Sequence, residues 1–248
     1  MSTWVFLRGW AREARHWGDF PAQFHAAMPD AEIIALDLPG SGRLYAQRSL
    51  PKVGSMVEHA RASLGARDTP APYHLLGLSL GGMVSLDWAA RHPGEVAACV
   101  VLNTSLSPFS AFYERIRPRN YAALLRVLLE RDARARETAI YRLTSSGELK
   151  ADIVSAWTRY AQEQPVSRGN AVRQLVAAAR YRAPVGLPVV PVLVLASAGD
   201  RLVSPRCSRE LAKAWKLPIA VHPTAGHDLA LDDGPWVAAE VKRWLRPD

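Results

Sequence analysis

Short, nearly unbroken apolar runs recur along the chain, with helix-periodic segments between them. The runs are residues 4–7, 32–36, 73–76, 96–102, 192–195 and 219–222. The first is β-branched and aromatic, and turn residues bound the runs, so each reads as a strand. Runs this apolar have no polar face, which predicts a parallel sheet covered on both sides. The helical segments are 17–28, with Pro21 in the first turn, then 53–64, 83–91, 205–215 and 235–245. In 53–64 the apolar positions Val53, Met56, Val57, Ala60 and Leu64 form one helical stripe. Ser204 precedes 205–215 as N-cap, with Pro205 at the first helical position. Strands alternating with helices define the α/β class.

The alternation stops in the middle of the chain. Residues 105–183 contain no convincing strand, and 121–130, 133–143, 149–162 and 170–181 read as helices. Pro118, Ser145-Ser146-Gly147 and Pro165-Val166-Ser167 separate them, with Ser167 and Asn170 as N-cap candidates for the last. The expected organisation is a core of residues 1–104 and 184–248, an all-helical insertion at 105–183, and a return hinge at 184–191.

A length of 248 residues fits one α/β domain with an insertion. With 49% hydrophobic and 22% charged residues, the composition excludes disordered and fibrous classes. No apolar run approaches the roughly 20 residues of a membrane span, so no membrane association is expected. Trp4-Val5-Phe6-Leu7 ends at Arg8 and is too short for a secretory core. Two cysteines, Cys99 and Cys207, do not make a disulfide framework, and Cys99 reads as a buried strand thiol. Reduced thiols suit a cytoplasmic location. The net charge of +8 changes the picture only in the insertion, where residues 105–185 hold thirteen Arg and one Lys against seven acids. Such a surface attracts anionic partners at long range, although a solvated helical face also accounts for it.

The candidate chemistry gathers where strands end. Gly77-Leu78-Ser79-Leu80-Gly81-Gly82 follows one strand and precedes a helix. A sharp strand-to-helix turn predicts positive φ at Ser79 and a hydroxyl held clear of the sheet. A serine needs a base, and the base needs an orienting acid. Among seven histidines, His227 alone occupies the loop after the last strand, behind Gly226. His16, His25 and His59 are expected to face solvent. Asp200 follows strand 192–195 in a Gly-Asp turn, with Asp37, Asp87, Asp228 and Asp232 as rivals. Ligand sites on parallel sheets lie at the carboxyl ends of strands, where Ser79, Asp200 and His227 all stand.

Together these motifs resemble the α/β-hydrolase family over residues 4–244, in the chain order Ser, Asp, His. Asp37-Leu38-Pro39-Gly40-Ser41-Gly42 resembles the family's loop after its second parallel strand. The resemblance implies a mostly parallel sheet of about six strands, with residues 105–183 as the cap. It implies a carboxylic ester hydrolase working through a covalent acyl-enzyme, with the backbone amides of Trp10 and Leu80 as oxyanion donors. Trp10, Tyr113, Tyr121 and Trp157 are candidate substrate-binding residues. No metal or organic cofactor is implied, and the expected partner is a small-molecule ester. Nucleic acid is not an expected partner, and the chain is expected to be a monomer or dimer. Arg8-Gly9 departs from the family's usual His-Gly, leaving Arg8 to bond carbonyls or face a substrate carboxylate. Gly9-Trp10, Ser79-Leu80, the compact size and the arginine-bearing cap are similar to the pimeloyl-carrier-protein methyl ester esterases, which suggests an acidic carrier protein at the cap. The same triad also supports lactone, amide or carbon–carbon bond hydrolysis and perhydrolysis. Ser79 argues against epoxide and haloalkane hydrolases, whose nucleophile is an aspartate. A non-catalytic carrier-binding module is the remaining alternative.

Overall fold

The computed structural model describes every residue but Met1, Asp68, Val185, Leu187, Pro247 and Asp248. The expected hinge at 184–191 therefore lies outside the described residues at Val185 and Leu187. Six strands form one wholly parallel sheet: β1 (Ser2–Leu7), β2 (Ala31–Leu36), β3 (Tyr73–Leu78), β4 (Val96–Leu102), β5 (Val192–Ser197) and β6 (Ile219–His222). Their order across the sheet is β2-β1-β3-β4-β5-β6. The register sets Trp4 of β1 beside Ile33 of β2 and His74 of β3.

The helices in chain order are α1 (Phe20–Ala27), α2 (Val53–Gly65), α3 (Leu80–Arg91), α4 (Phe112–Arg115), α5 (Tyr121–Leu129), α6 (Ala133–Thr144), α7 (Ala151–Glu163), α8 (Arg168–Arg180), α9 (Pro205–Trp215), α10 (Leu229–Asp232) and α11 (Gly234–Leu245). The predicted helix at 17–28 is split, because Gly18 turns to φ 53 between a 3-10 turn at Ala14–Trp17 and α1. Helix α3 starts at Leu80, directly after Ser79. Ser204 caps α9 and Ser167 caps α8, each through its own side-chain oxygen.

Side chains alternate across each strand, so the apolar runs feed two cores. Trp4, Phe6, Leu76, Leu78 and Val100 pack under Phe20, Phe24, Val237 and Val241 of α1 and α11. Val5, Leu7, Leu75, Cys99 and Val101 pack on the opposite face against α2, α3 and α9. Every one of these strand residues is inaccessible to solvent or nearly so. At roughly 1.5–3 kcal/mol per large apolar side chain, these two layers fix the sheet and with it the strand ends. Helices α4–α8 all lie between β4 and β5 in the chain, and a bridge from Ser107 to Arg182 ties the start of this segment to its end. Within them Tyr141, Val154 and Trp157 form a small core of their own. No described helix is long and apolar enough to cross a membrane.

Candidate active site

The turn between β3 and α3 carries Ser79 at φ 55 and ψ −113. Holding a non-glycine residue there costs on the order of 1–3 kcal/mol, and the surroundings over-determine it. The Ser79 amide donates to Leu102 O at 2.9 Å, and its carbonyl accepts from Thr104 Oγ1 at 2.9 Å and from Met83 N at 3.2 Å. Two glycines make the tight crossing feasible. A Cβ on Gly77 would fall 2.4 Å from Gly81 O, and one on Gly81 would fall 2.0 Å from Leu7 O. No side chain fits at either position.

His227 sits in the loop after β6, and Asp200 in the turn after β5. His227 Nδ1 lies 2.7 Å from Asp200 Oδ2, with both residues buried. The second oxygen, Asp200 Oδ1, accepts from Leu202 N and Val203 N at 2.9 Å each. That clamp leaves Nδ1 of the imidazole as the hydrogen-bond donor. Burial favours the neutral imidazole, yet the charge of Asp200, its hydrogen bond and the charge of Asp228 outweigh burial and the opposing Arg8. The His227 pKa is raised above the ordinary histidine value as a result.

The loop after β1 approaches the same place. Ala11 adopts φ 53 and its amide donates to Gln174 Oε1 at 2.8 Å. The Trp10 indole donates to Ala171 O at 2.8 Å, so α8 holds this loop from above. Among the described residues, the backbone amides of Trp10 and Leu80 donate to no other group. Both therefore remain free for a ligand oxygen. Ser79, His227, Gly9 and Trp10 line one cavity of about 60 Å³. Its remaining walls include Leu124 of α5 and Ile140, Leu143 and Thr144 of α6. The helices between β4 and β5 thus contribute apolar walls to the cavity that holds Ser79.

Several residues differ from expectation. Arg8 bonds neither carbonyls nor solvent: Nη1 and Nη2 grip Asp228 Oδ1 and Oδ2 at 3.0 and 2.5 Å in a buried fork. Asp228, a rival acid in the sequence, is thereby tied to Arg8. Asp37 accepts from the amides of Ala14, across the site loops, and Arg43, and Asp87 pairs with Arg91. Asp232 accepts from the amides of Gly226 and Ser146. His16 is buried, not solvent-facing, and its pKa lies well below the ordinary value because burial, Arg12 and Arg8 all disfavour its charged form. Among the candidate pocket aromatics only Trp10 lines the Ser79 cavity. Tyr113 and Tyr121 are exposed, and Trp157 is buried among Tyr141, His16 and Arg12.

One residue escaped the sequence reading altogether. Asn103, at φ 47 just past β4, donates through Nδ2 to Ser197 Oγ, Gly226 O and His227 O, while its Oδ1 accepts from Ser197 N. It ties the His227 loop to the end of β5. The available signal was an asparagine at a strand end, a residue type tolerant of left-handed backbone.

Known proteins share this fold. The profile of the Alpha/beta hydrolase family covers residues 4–240, so the chain belongs to that family. The biotin biosynthesis bifunctional protein BioHC of Teredinibacter turnerae is 34% identical over 105 residues, 42% of this chain and 17% of that protein. The pimeloyl-[acyl-carrier protein] methyl ester esterase of Chromobacterium violaceum is 35% identical over 101 residues, 41% of this chain and 36% of that protein. The chain thus matches well under half the length of these curated relatives. A putative lipase from Acinetobacter baumannii superposes with a TM-score of 0.79 at 21% identity, over 98% of this chain and 83% of that one, which establishes the shared fold.

Proposed function

We propose that the protein is a carboxylic ester hydrolase in which Ser79 attacks the ester carbonyl. The observation that carries this reading is the buried His227 Nδ1–Asp200 Oδ2 contact of 2.7 Å, with His227 and the turn-borne Ser79 on one cavity wall. His227 takes the hydroxyl proton through Nε2 as the Ser79 Oγ–carbon bond forms. Asp200 holds the ring and offsets the charge it gains. The amides of Trp10 and Leu80 receive the developing oxyanion; losing such a donor costs on the order of 10²–10³ in rate. The tetrahedral intermediate collapses to the acyl-enzyme as the leaving alcohol takes the proton from His227. Water, deprotonated by the same base, then frees the acid and regenerates Ser79. Residues 105–183 act as the cap that shapes the acyl pocket.

Hydrolysis of p-nitrophenyl esters of graded acyl length tests this. The wild type is expected to turn over at least the short members, and Ser79→Ala to lose at least a thousandfold. A folded wild type inert on every ester refutes it.

A carrier-bound acyl ester is the favoured substrate form, on one observation. Phe112, Tyr113, Tyr121, Leu125 and Leu129 are exposed along α4 and α5, beside the exposed Arg119, Arg126, Arg131 and Arg134. Apolar side chains ringed by arginine suit an acidic protein partner. Turnover of an acyl-carrier methyl ester should weaken as salt rises, while turnover of a free ester should not. Equal salt dependence for both substrates excludes the carrier form.

A further inference from the structure

Residues 9–12 form a tight turn, closed by Arg12 N donating to Gly9 O at 3.3 Å. Its third residue, Ala11, has φ 53. A positive φ at that position marks a type II turn and normally calls for glycine, because a Cβ is disfavoured there. Flipping the Trp10–Ala11 peptide gives a type I turn, in which Ala11 returns to negative φ. The two forms differ in where the Ala11 N–H points. In this fold it donates to Gln174 Oε1 on α8 at 2.8 Å. Gln174 therefore selects the costlier turn. Trp10 is pinned on both sides, through the Gly9 carbonyl before it and the Ala11 amide after it, so its own N–H keeps one direction.

Gln174 is itself fixed, and only 2% exposed. Ala11 N can only donate, so it faces the amide oxygen. At the other end Nε2 donates to Ser41 Oγ at 3.0 Å and to Ser49 Oγ at 3.1 Å. Ser49 Oγ in turn donates to Pro39 O at 2.6 Å, so it meets Nε2 with a lone pair. Gly40, at φ 90, leaves the room this needs, since a Cβ there would fall 2.2 Å from Ser49 Oγ. The loop after β2, which carries Pro39, Gly40 and Ser41, is thus the anchor of a chain of bonds that ends at the Trp10 turn. The place requires an acceptor at one end and a donor at the other, which a glutamine side chain supplies.

We infer that Gln174 is a positioning residue for the oxyanion site, holding the Trp10 amide in its donating direction through Ala11. This rests on the ester-hydrolase reading, in which that amide receives the oxyanion. Gln174 lines neither the Ser79 cavity nor the cavity beside it. Its contribution is therefore expected in the transition state and not in substrate binding.

The test is Gln174→Leu, which removes the acceptor, assayed with p-nitrophenyl butyrate. The expected kcat is about tenfold to a hundredfold below wild type, part of the loss of a whole oxyanion donor, with KM within about threefold. Asn170→Ala is the control. Asn170 lies one turn earlier on α8 and is buried too, but its side chain bonds Ser49 N, Tyr45 O and Gln47 O and nothing in residues 9–12. It should lose stability and keep kcat within about threefold. An unchanged kcat in Gln174→Leu, or an equal fall in both variants, overturns the positioning role. Should Gln174→Leu not fold, Gln174→Asn draws the acceptor back by one carbon–carbon bond and decides in the same way.

An alkyl trifluoromethyl ketone gives a readout without turnover. Ser79 Oγ adds to its carbonyl carbon, the hydroxyl proton passes to His227, and the former carbonyl oxygen becomes the oxyanion. Its affinity should fall in Gln174→Leu by the same factor as kcat, and an equal affinity in the two proteins overturns the role. A wild type that binds the ketone in this way yet cleaves no ester fails the hydrolase reading alone. A wild type that does neither overturns both.

Discussion

Replacing Arg8 by Met should destabilise the protein and move its pH profile in a stated direction. The Arg8–Asp228 fork joins two side chains that are only 3% and 4% exposed. Removing one partner strands a buried carboxylate, at a cost of about 3–5 kcal/mol. For a domain of this size each kcal/mol lowers Tm by roughly 2–4 °C, so Tm should fall by roughly 6–20 °C. The double variant Arg8→Met/Asp228→Leu leaves no charge behind and should recover most of that loss. The pH effect follows from the same pair. Arg8 pushes the His227 pKa down and Asp228 pushes it up. Arg8→Met therefore raises it, and the acid limb of kcat/KM moves to higher pH, because the base works only when neutral. Asp228→Asn removes the opposite charge and should move the limb to lower pH. Thermal denaturation at neutral pH and p-nitrophenyl ester kinetics across the acid range read both effects. A single variant as stable as wild type, or two limbs that shift in the same direction, refutes the account of this pair.

Asn103→Ala should lower stability by about 2–4 kcal/mol, since several buried partners lose their hydrogen bond. Its kcat should fall more than KM changes, because the His227 loop loses its tether; a pure KM effect contradicts the tether. Gly81→Ala places a Cβ 2.0 Å from Leu7 O and should abolish soluble, active protein, as expression and activity assays will show. His16 carries a depressed pKa, so its contribution to stability is present above the unfolded value of about 6.5 and is lost as pH falls toward the folded value. His16→Gln should show a smaller loss of Tm on acidification than wild type, and an equal loss would assign the effect elsewhere. His227 runs the other way: its raised pKa gives stability that is full below about 6.5 and is lost as pH rises through the folded value. His227→Gln should therefore flatten the alkaline side of the Tm profile.

The sheet was legible because its strands are apolar on both faces, which leaves few alternatives for runs such as 96–102. Ser204 and Ser167 were legible as caps because their partners are two or three residues away. The one-turn helices α4 and α10 were missed, since four residues carry no periodicity. Gly81 and Gly82 read as turn residues in the sequence, which puts the expected start of α3 three residues late, whereas in the fold they are the helix surface that lets β1 and Thr104 approach. The pairs that finish the site are the least legible. Arg8 and Asp228 stand 220 positions apart and Arg12 and Glu137 125 apart, so no local pattern links them. Tyr121 illustrates the converse: a candidate pocket aromatic is turned outward, because the face of α5 that packs inward carries Leu124 and Val127.

The account turns on Ser79 as a nucleophile activated by His227. A fluorophosphonate that mimics the tetrahedral ester intermediate tests this directly, read by intact mass and peptide mapping. One adduct on Ser79 is predicted, absent from Ser79→Ala and formed far more slowly by His227→Ala. An adduct on another residue, or equal labelling of Ser79→Ala, contradicts it.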